Sequence, residues 1–427
     1  MTKGSAVLED LTARGLVQDT TDRGALVERL DAGPITLYCG FDPTADSLHV
    51  GNLIGLLTLR RFQLAGHRPI ALAGGATGMI GDPSGRSAER NLLDDDALAA
   101  NLAAIVPQLR QFLDFEPGPQ QARLLDNRSW TVGTSVIDFL RDVGKHVTVN
   151  QMIGKESVRA RLAGEAGISY TEFSYMLLQA NDFVSLLELE GCELQVGGSD
   201  QWGNIALGVD LARRRTGRRV HGLTWPLLTK PDGTKYGKTA AGDQIWLGAH
   251  RMSPYRFYQA WIGVEDAELR KLLLQLTFLE PAEVDALLVE HDAAPHRRIG
   301  QRRLAVELTS LVHGEEQARR AVQASEILFG GPLADASEAA LGALVGEAPS
   351  TPLARTRLAG GLDPLELFVE SRLASSKGDA RRTLDQRGLS LNDERLEPGR
   401  LVEASDLLHG RYLVLRRGKR LHLLVAE

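Results

Sequence analysis

Residues 38–52 read Tyr38-Cys39-Gly40-Phe41-Asp42-Pro43-Thr44-Ala45-Asp46-Ser47-Leu48-His49-Val50-Gly51-Asn52, and this stretch decides the fold. Residues 34–41 form a short, mostly apolar run with β-branched and aromatic members, and Asp42-Pro43 stops it, which predicts a buried strand ending near residue 41. Val50, Leu53, Ile54, Leu57 and Phe62 recur at helical spacing, so a helix begins near His49. His49 and Asn52 then stand on its first turn, where unpaired backbone N–H groups and the helix dipole attract anions. Strand, tight turn and helix start together make a cradle for a nucleotide's phosphates.

Working outward, residues 1–32 read as helical packing. Residues 33–225 alternate apolar strand runs with amphipathic segments, the pattern of an α/β, Rossmann-like doubly wound parallel sheet. Residues 69–73 are one such strand, 74–85 a glycine-dense loop, and 92–112 a helical period with Asp94, Asp95 and Asp96 near its start, placed to complement the helix dipole. From about 250 to 330 the pattern is helical, with Leu272, Leu273, Leu274, Leu276, Leu304, Leu308 and Leu311 as candidate core positions. Residues 331–362 are rich in Gly, Ala, Pro and Ser, which predicts a linker. Beyond 363, Lys377, Arg381 and Arg382 fall on a helix followed by a turn and strand at 388–392. The expected division is therefore 1–230 catalytic, 231–245 a mobile lysine loop, 246–330 helical, 331–362 linker and 363–427 a small α+β module.

The net charge of −6 over 427 residues argues against a wholly electrostatic nucleic-acid binder. The charge is uneven, however: residues 371–420 carry twelve Lys/Arg against seven Asp/Glu, a local +5, which leaves the rest at −11. A basic module on an acidic body suggests RNA contact at one end. Two cysteines, Cys39 and Cys192, cannot build a disulfide framework or a zinc site by themselves. No basic leader, apolar leader or stretch of 18 apolar residues is present, so the expectation is a cytoplasmic protein with no membrane partner.

A second motif lies 183 residues after Asn52 (235 minus 52): the polar, turn-rich segment 230–239, with Lys230, Lys235 and Lys238 and two glycines. His49-Val50-Gly51-Asn52 resembles the His-Ile-Gly-His signature of class I aminoacyl-tRNA synthetases, with asparagine in place of the second histidine. Lys235-Tyr236-Gly237-Lys238-Thr239 resembles that class's Lys-Met-Ser-Lys-Ser. Asparagine keeps a hydrogen-bond donor but never carries charge, so a phosphate-holding role survives the change and an acid role does not. Residues 38–52, 74–85, 170–182 and 195–204, in that order, resemble the bacterial tyrosyl-tRNA synthetases nearly end to end. The module beyond 363 resembles an S4-like RNA-binding domain.

That resemblance implies adenylate formation from L-tyrosine and ATP, then transfer of tyrosine to tRNA(Tyr). ATP would enter as its Mg2+ complex, with no tightly bound cofactor and no protein metal site, and the family is homodimeric. It further implies that Thr44, His49, Asn52, Arg86, Lys230, Lys235, Lys238 and Thr239 act on the phosphates, Arg86 standing where the family often has lysine. Tyr38 and Asp182 would hold the phenol; Asp82, Tyr175 and Gln179 the ammonium; Asn127 and Gln201 would line the same pocket. Cys39, Gly40, Asp42, Gly51 and Asp200, with His49, Asn52, Lys235 and Lys238, would contact ATP.

Each of these residues also has a plainer reading. Tyr175, Gln179 and Asp182 at i, i+4 and i+7 make a stripe that any helix displays, and Asp200 with Gln201 could simply start a helix. Arg213, Arg214, Arg215, Arg218 and Arg219 follow a helix whose C-terminal dipole they complement, and His67, His146 and His221 lack ligand spacing. Trp130, Phe139 and Met152 fit either a subunit interface or core packing. A synthetase for another aromatic amino acid, or an RNA-binding relative without catalysis, remains as an alternative.

Overall fold

The computed structural model describes residues 4–84, 93–164, 167–229 and 244–427, which form two compact units: Met1–Arg251 with Glu265–Gly300, and Met252–Val264 with Gln301–Glu427. Among the described residues of the first unit, six strands form one sheet in the order β1-β6-β5-β2-β3-β4. These are β1 (Asp19–Thr20), β2 (Thr36–Phe41), β3 (Arg68–Ala73), β4 (Arg123–Asp126), β5 (Cys192–Gly198) and β6 (His221–Trp225). Only β1 runs antiparallel to its neighbour. A parallel sheet is covered on both faces, which is why β2 is almost wholly buried along Thr-Leu-Tyr-Cys-Gly-Phe rather than alternating.

Strand β2 is flanked by β3 on one side and β5 on the other, so the chain leaves it in opposite directions, and a crevice opens at the carboxyl ends of these strands. Five helices of this unit frame that crevice or its supports: α1 (Ala6–Ala13), α2 (Val50–Leu64), α3 (Asp95–Phe112), α4 (Tyr170–Glu190) and α5 (Trp202–Thr216). Tyr38, Ile70, Phe183, Val184, Leu187, Leu207 and Leu211 belong to one buried cluster that locks β2, β3, α4 and α5 together.

Helix α1 is tied to the rest of the unit by cations. Arg14 donates through Nη1 to the carbonyls of Leu274 (3.3 Å) and Leu279 (2.8 Å), and Arg61 on α2 donates through Nη2 to Thr277 O (2.5 Å). The two guanidiniums share the carboxylate of Asp10, at 2.7 Å and 3.7 Å. Burial beside Arg14 lowers the pKa of Arg61 to about 10. Leu274 and the C-cap Thr277 are at the end of helix Asp266–Leu276, where the negative end of the dipole favours cations, and Leu279 lies just beyond it.

Other expectations meet the structure as follows. Asp94 is the N-cap of α3, its Oδ1 accepting from Ala97 N at 2.7 Å, and Asp95 and Asp96 occupy the first turn. In the arginine run, Arg213 and Arg214 pair with Asp210, Arg215 donates to Asn181, Arg218 to the Leu187 carbonyl, and Arg219 pairs with Asp22. Those guanidiniums staple helices and strands of their own unit. His67 accepts from Ile35 N at 3.2 Å in a buried position.

The second unit contains a five-stranded sheet, β7 (Ser350–Leu353), β8 (Leu389–Leu391), β9 (Glu394–Arg395), β10 (Tyr412–Arg417) and β11 (Arg420–Ala426), in the order β7-β11-β10-β8-β9. Alternation along β10 sends Leu413 and Leu415 into a core with helices Pro364–Glu370 and Lys377–Asp385. It sends Tyr412 and Val414 into another with helices Glu315–Leu328 and Glu338–Leu344.

Two boundaries differ from the sequence expectation. The 331–362 segment, expected as a linker, carries helix Glu338–Leu344 and strand β7, which pairs parallel to β11. The segment packs closely rather than hanging free: Ala340, Leu341 and Leu344 are fully buried and Ala348 nearly so. The helical stretch 246–330 is also split, since Leu272, Leu273, Leu274 and Leu276 are buried in the first unit and Leu304 and Leu308 in the second.

Candidate active site

A cavity of about 550 Å³ occupies the crevice beside β2. Every candidate residue that the described structure includes lines it: Tyr38, Cys39, Gly40, Asp42, Thr44, His49, Gly51, Asn52, Asp82, Asn127, Tyr175, Gln179, Asp182, Asp200 and Gln201. Arg86, Lys230, Lys235, Lys238 and Thr239 lie outside the described residues. The convergence has a simple local origin. Tyr38 to Asp42 end β2, Asp82 and Asn127 follow β3 and β4 at the same edge, and Asp200 and Gln201 follow β5. Tyr175, Gln179 and Asp182 form the face of α4 turned to the same space.

At the pocket's floor, Asp182 is buried and held by two donors, Asn127 Nδ2 to Oδ2 at 2.9 Å and Trp130 Nε1 to Oδ1 at 2.8 Å. Burial is the largest influence on its carboxyl and pushes the pKa up to about 7 against those two hydrogen bonds. Tyr38 is fully buried, its ring edge-on to Phe183 with centroids 5.4 Å apart, and its hydroxyl finds no partner among the described residues. A buried hydroxyl lacking a partner marks a place where a ligand's polar group completes the network. Burial also raises the Tyr38 phenol well above its ordinary range, so it stays protonated.

A second network orients the wall. Thr77 Oγ1 accepts from Asn127 (3.0 Å) and donates to Asp42 Oδ1 (2.7 Å), while the Tyr175 hydroxyl donates to Asp42 Oδ2 (2.9 Å). Asn127 Oδ1 accepts from Ala76 N at 2.7 Å, which ties the glycine-dense loop to β4. Asp82 accepts from Gln201 Nε2 (2.6 Å) and from Ser84 N (2.9 Å), and Gln179 Oε1 accepts from Asn204 (2.9 Å). These acceptors, Asp82, Gln179 and the Tyr175 oxygen, suit an ammonium group.

Gly74 makes room for this wall. A Cβ there would collide with the Asp42 carboxylate and come within 2.6 Å of Thr77 Oγ1. Gly74→Ala is therefore expected to lower kcat/KM for the amino acid by about 10- to 100-fold by displacing groups that position it. Pyrophosphate exchange alongside thermal unfolding checks this; unchanged kinetics would mean that the wall tolerates the shift.

At the other end, His49 is the N-cap of α2. Its Nδ1 accepts from Gly51 N at 3.0 Å, and Asn52 Oδ1 accepts from His49 N at 3.1 Å, closing a capping box. Asn52 thus commits its oxygen to the cap and keeps its amide Nδ2 as donor, which explains how asparagine serves at this position. Cys39 is buried beside it, its thiol raised to about 12 by burial, and is inert as a nucleophile.

Sequence reasoning missed three polar contributors. Trp130 orients Asp182, Thr77 bridges Asn127 and Asp42, and Gln195 lines the cavity with a buried Oε1 that has no hydrogen-bond partner among the described residues. Trp130 lies three residues after Asn127 at the start of a short helix, a spacing that places both on one face.

A phosphate-cradling helix start at the switch point of a parallel sheet, with an amino-acid pocket beside it, defines the catalytic core of a class I aminoacyl-tRNA synthetase. The family described as tRNA synthetases class I (W and Y) matches residues 30–330, and the tyrosine–tRNA ligase SYY-like C-terminal domain matches residues 348–425. The chain belongs to the tyrosine–tRNA ligases. It is 56% identical to that ligase of Opitutus terrae over 98% of this chain and 99% of the relative, and 51% identical to that of Rhodopirellula baltica over 99% and 96%. Among solved structures, a C-terminally truncated mitochondrial tyrosyl-tRNA synthetase of Aspergillus nidulans superposes with a TM-score of 0.69 at 30% identity, over 76% of this chain and 94% of that one.

Proposed function

We propose that this tyrosine–tRNA ligase selects its amino acid through Tyr38 and Asp182 and drives activation through the His49 cradle. The pair at the pocket floor carries the reading: a buried carboxylate already oriented by Asn127 and Trp130, beside a buried hydroxyl awaiting a partner. The tyrosine phenol donates to Asp182 and meets Tyr38, while Asp82, Tyr175 and Gln179 receive the ammonium. The tyrosine carboxylate then attacks the α-phosphorus of ATP in line, and pyrophosphate leaves; no protein nucleophile is needed. Catalysis rests on positioning and on donors aimed at the phosphates: His49, Asn52, Thr44 and the cations Arg86, Lys230, Lys235 and Lys238, with Thr239. ATP enters as its magnesium complex, and Cys39, Gly40, Asp42, Gly51 and Asp200 face its nucleoside and phosphates.

Transfer to the 3′-terminal adenosine of tRNA(Tyr) follows. The basic helix Lys377–Asp385, with exposed Arg381 and Arg382, supports an RNA-binding role for the second unit. A homodimer is supported by the apolar side chains left exposed on one continuous segment: Val132 62%, Val136 73%, Ile137 71% and Val149 59%. Trp130, Phe139 and Met152 pack inward against the core instead. A cytoplasmic location belongs to this reading, as the place where a ligase meets tRNA, and no described helix is long and apolar enough to cross a membrane.

ATP–pyrophosphate exchange with tyrosine, phenylalanine and tryptophan, with magnesium and without tRNA, tests the pocket. Exchange with tyrosine is expected to exceed the others by at least about 100-fold, because phenylalanine leaves buried polar groups unpaired. Comparable exchange with phenylalanine would refute the Tyr38–Asp182 assignment.

A further inference from the structure

Residues 244–251 lie antiparallel to residues 46–50, the approach to the cradle. Val50 N donates to the Ile245 carbonyl (3.0 Å), Leu247 N to the Leu48 carbonyl (2.8 Å), and Gly248 N to Ser47 Oγ (2.9 Å). The approach is close enough that a Cβ at Gly248 would fall 2.8 Å from Ser47 Oγ. This register sets Trp246 opposite His49, and their rings meet edge to face, centroids 6.2 Å apart at 69°.

Trp246 is itself held. The Arg251 guanidinium lies over its ring, 4.8 Å from the centroid, and pairs with Asp46, which His250 Nε2 also approaches at 3.3 Å. The Arg251 hydrogen bond holds the Asp46 carboxyl below its usual range, so the pair is charged at neutral pH. Asp46, Arg251, Trp246 and His49 therefore form a chain of contacts in that order, whose two ends lie three residues apart on the same segment. Within it the imidazole is doubly constrained. Nδ1 accepts the Gly51 N–H, which puts the ring proton on Nε2, and Trp246 flanks the ring.

We propose that Trp246, clamped by Arg251 and Asp46, is a positioning residue for amino-acid activation: it fixes the His49 imidazole so that Nε2–H donates to the phosphates of ATP. This rests on the reading of His49 as a phosphate donor. Small misplacement of such a donor is enough to slow chemistry, because catalysis here is mainly orientation and electrostatics.

The test is a double-mutant cycle on the full chain, read by ATP–pyrophosphate exchange, with tyrosine affinity from equilibrium dialysis and thermal unfolding measured in parallel. Trp246→Leu is expected to lower kcat by about 10- to 100-fold, with tyrosine affinity unchanged within about twofold. Trp246→Phe, which keeps an aromatic edge, is expected to retain most activity, and Arg251→Gln to lose an intermediate amount. In a His49→Ala background, Trp246→Leu is expected to cost less than about twofold, since the group it positions is gone. An additive loss in that background, or an equal fall in tyrosine affinity, would overturn the proposal. Should Trp246→Leu unfold, Arg251→Gln in the two backgrounds carries the same comparison. A His49→Ala variant with full exchange would instead refute the phosphate role of His49, a separately readable outcome.

Discussion

Asp182→Ala is expected to lower kcat/KM for tyrosine by about 10³-fold or more while leaving the KM for ATP within a few-fold. The loss has two parts. The phenol loses a charge-assisted acceptor, the Trp130 indole N–H loses its partner and the Asn127 amide loses one of its two acceptors, keeping Thr77; each unmet buried donor is worth about 1–3 kcal/mol. A variant with normal tyrosine affinity would exclude the phenol contact. The same carboxyl gives a pH signature. With its pKa pushed up to about 7 by burial, it is protonated below that pH, and a protonated acid already facing two donors accepts a third poorly. The dissociation constant for tyrosine is therefore expected to rise about tenfold per pH unit below 7 and to be flat above it, with no such slope in Asp182→Asn. The linkage to folding has the opposite sign. A folded-state pKa above the ordinary 3.8 means that this group favours folding most below about pH 4 and loses that contribution as pH rises through 7. The pocket thus keeps at working pH a charge that the fold would rather neutralise.

The second large effect is on stability. Arg161 and Glu172 form a buried ion pair, with a hydrogen bond from Nη1 to Oε1 at 3.1 Å and Nη2 lying 2.8 Å from Oε2, and side chains 4% and 2% exposed. Glu172 is in the first turn of α4, whose next turns carry Tyr175 and Gln179. Removing one partner from a buried pair leaves an uncompensated charge, so Glu172→Ala is expected to destabilise by about 3–5 kcal/mol. For a domain of this size that is on the order of 10 °C in Tm. The double substitution Arg161→Met with Glu172→Leu is expected to recover most of the loss, because well-packed apolar groups replace buried ion pairs at little cost. Thermal unfolding of the three variants decides it; a single variant as stable as the parent would show that water reaches the pair.

The strand end and first helical turn around His49 were legible in the sequence because they follow from short-range rules. Tyr38, Asp182 and the rest of the cavity wall were reached through the family resemblance, since the i, i+4, i+7 stripe of α4 by itself reads as any helix face. What escaped depends on long-range pairing. Trp130 reaches Asp182 across 52 positions and Thr77 reaches Asp42 across 35, and no local pattern records either distance. The leucines of 272–276 and of 304–308 announce burial but not the core that receives them, so a split helical region read as a single domain. Composition misled at 331–362, where small residues read as flexibility serve as close-packing contacts for β10 and β11. Arg86 and the lysine segment remain a matter of sequence resemblance alone, lying outside the described residues.

The cation clasp of Arg14 and Arg61 also bears on the timing of biosynthesis. Its carbonyl partners lie 216 to 265 positions downstream, and the chain enters the second unit between residues 252 and 264 before it supplies them. At about 5–20 residues per second, the ribosome needs roughly 10–50 s to bridge that gap. Vectorial synthesis therefore delivers the six strands well before the helix end that receives these two cations. The clasp of Arg14 and Arg61 therefore cannot close before elongation has supplied that helix end.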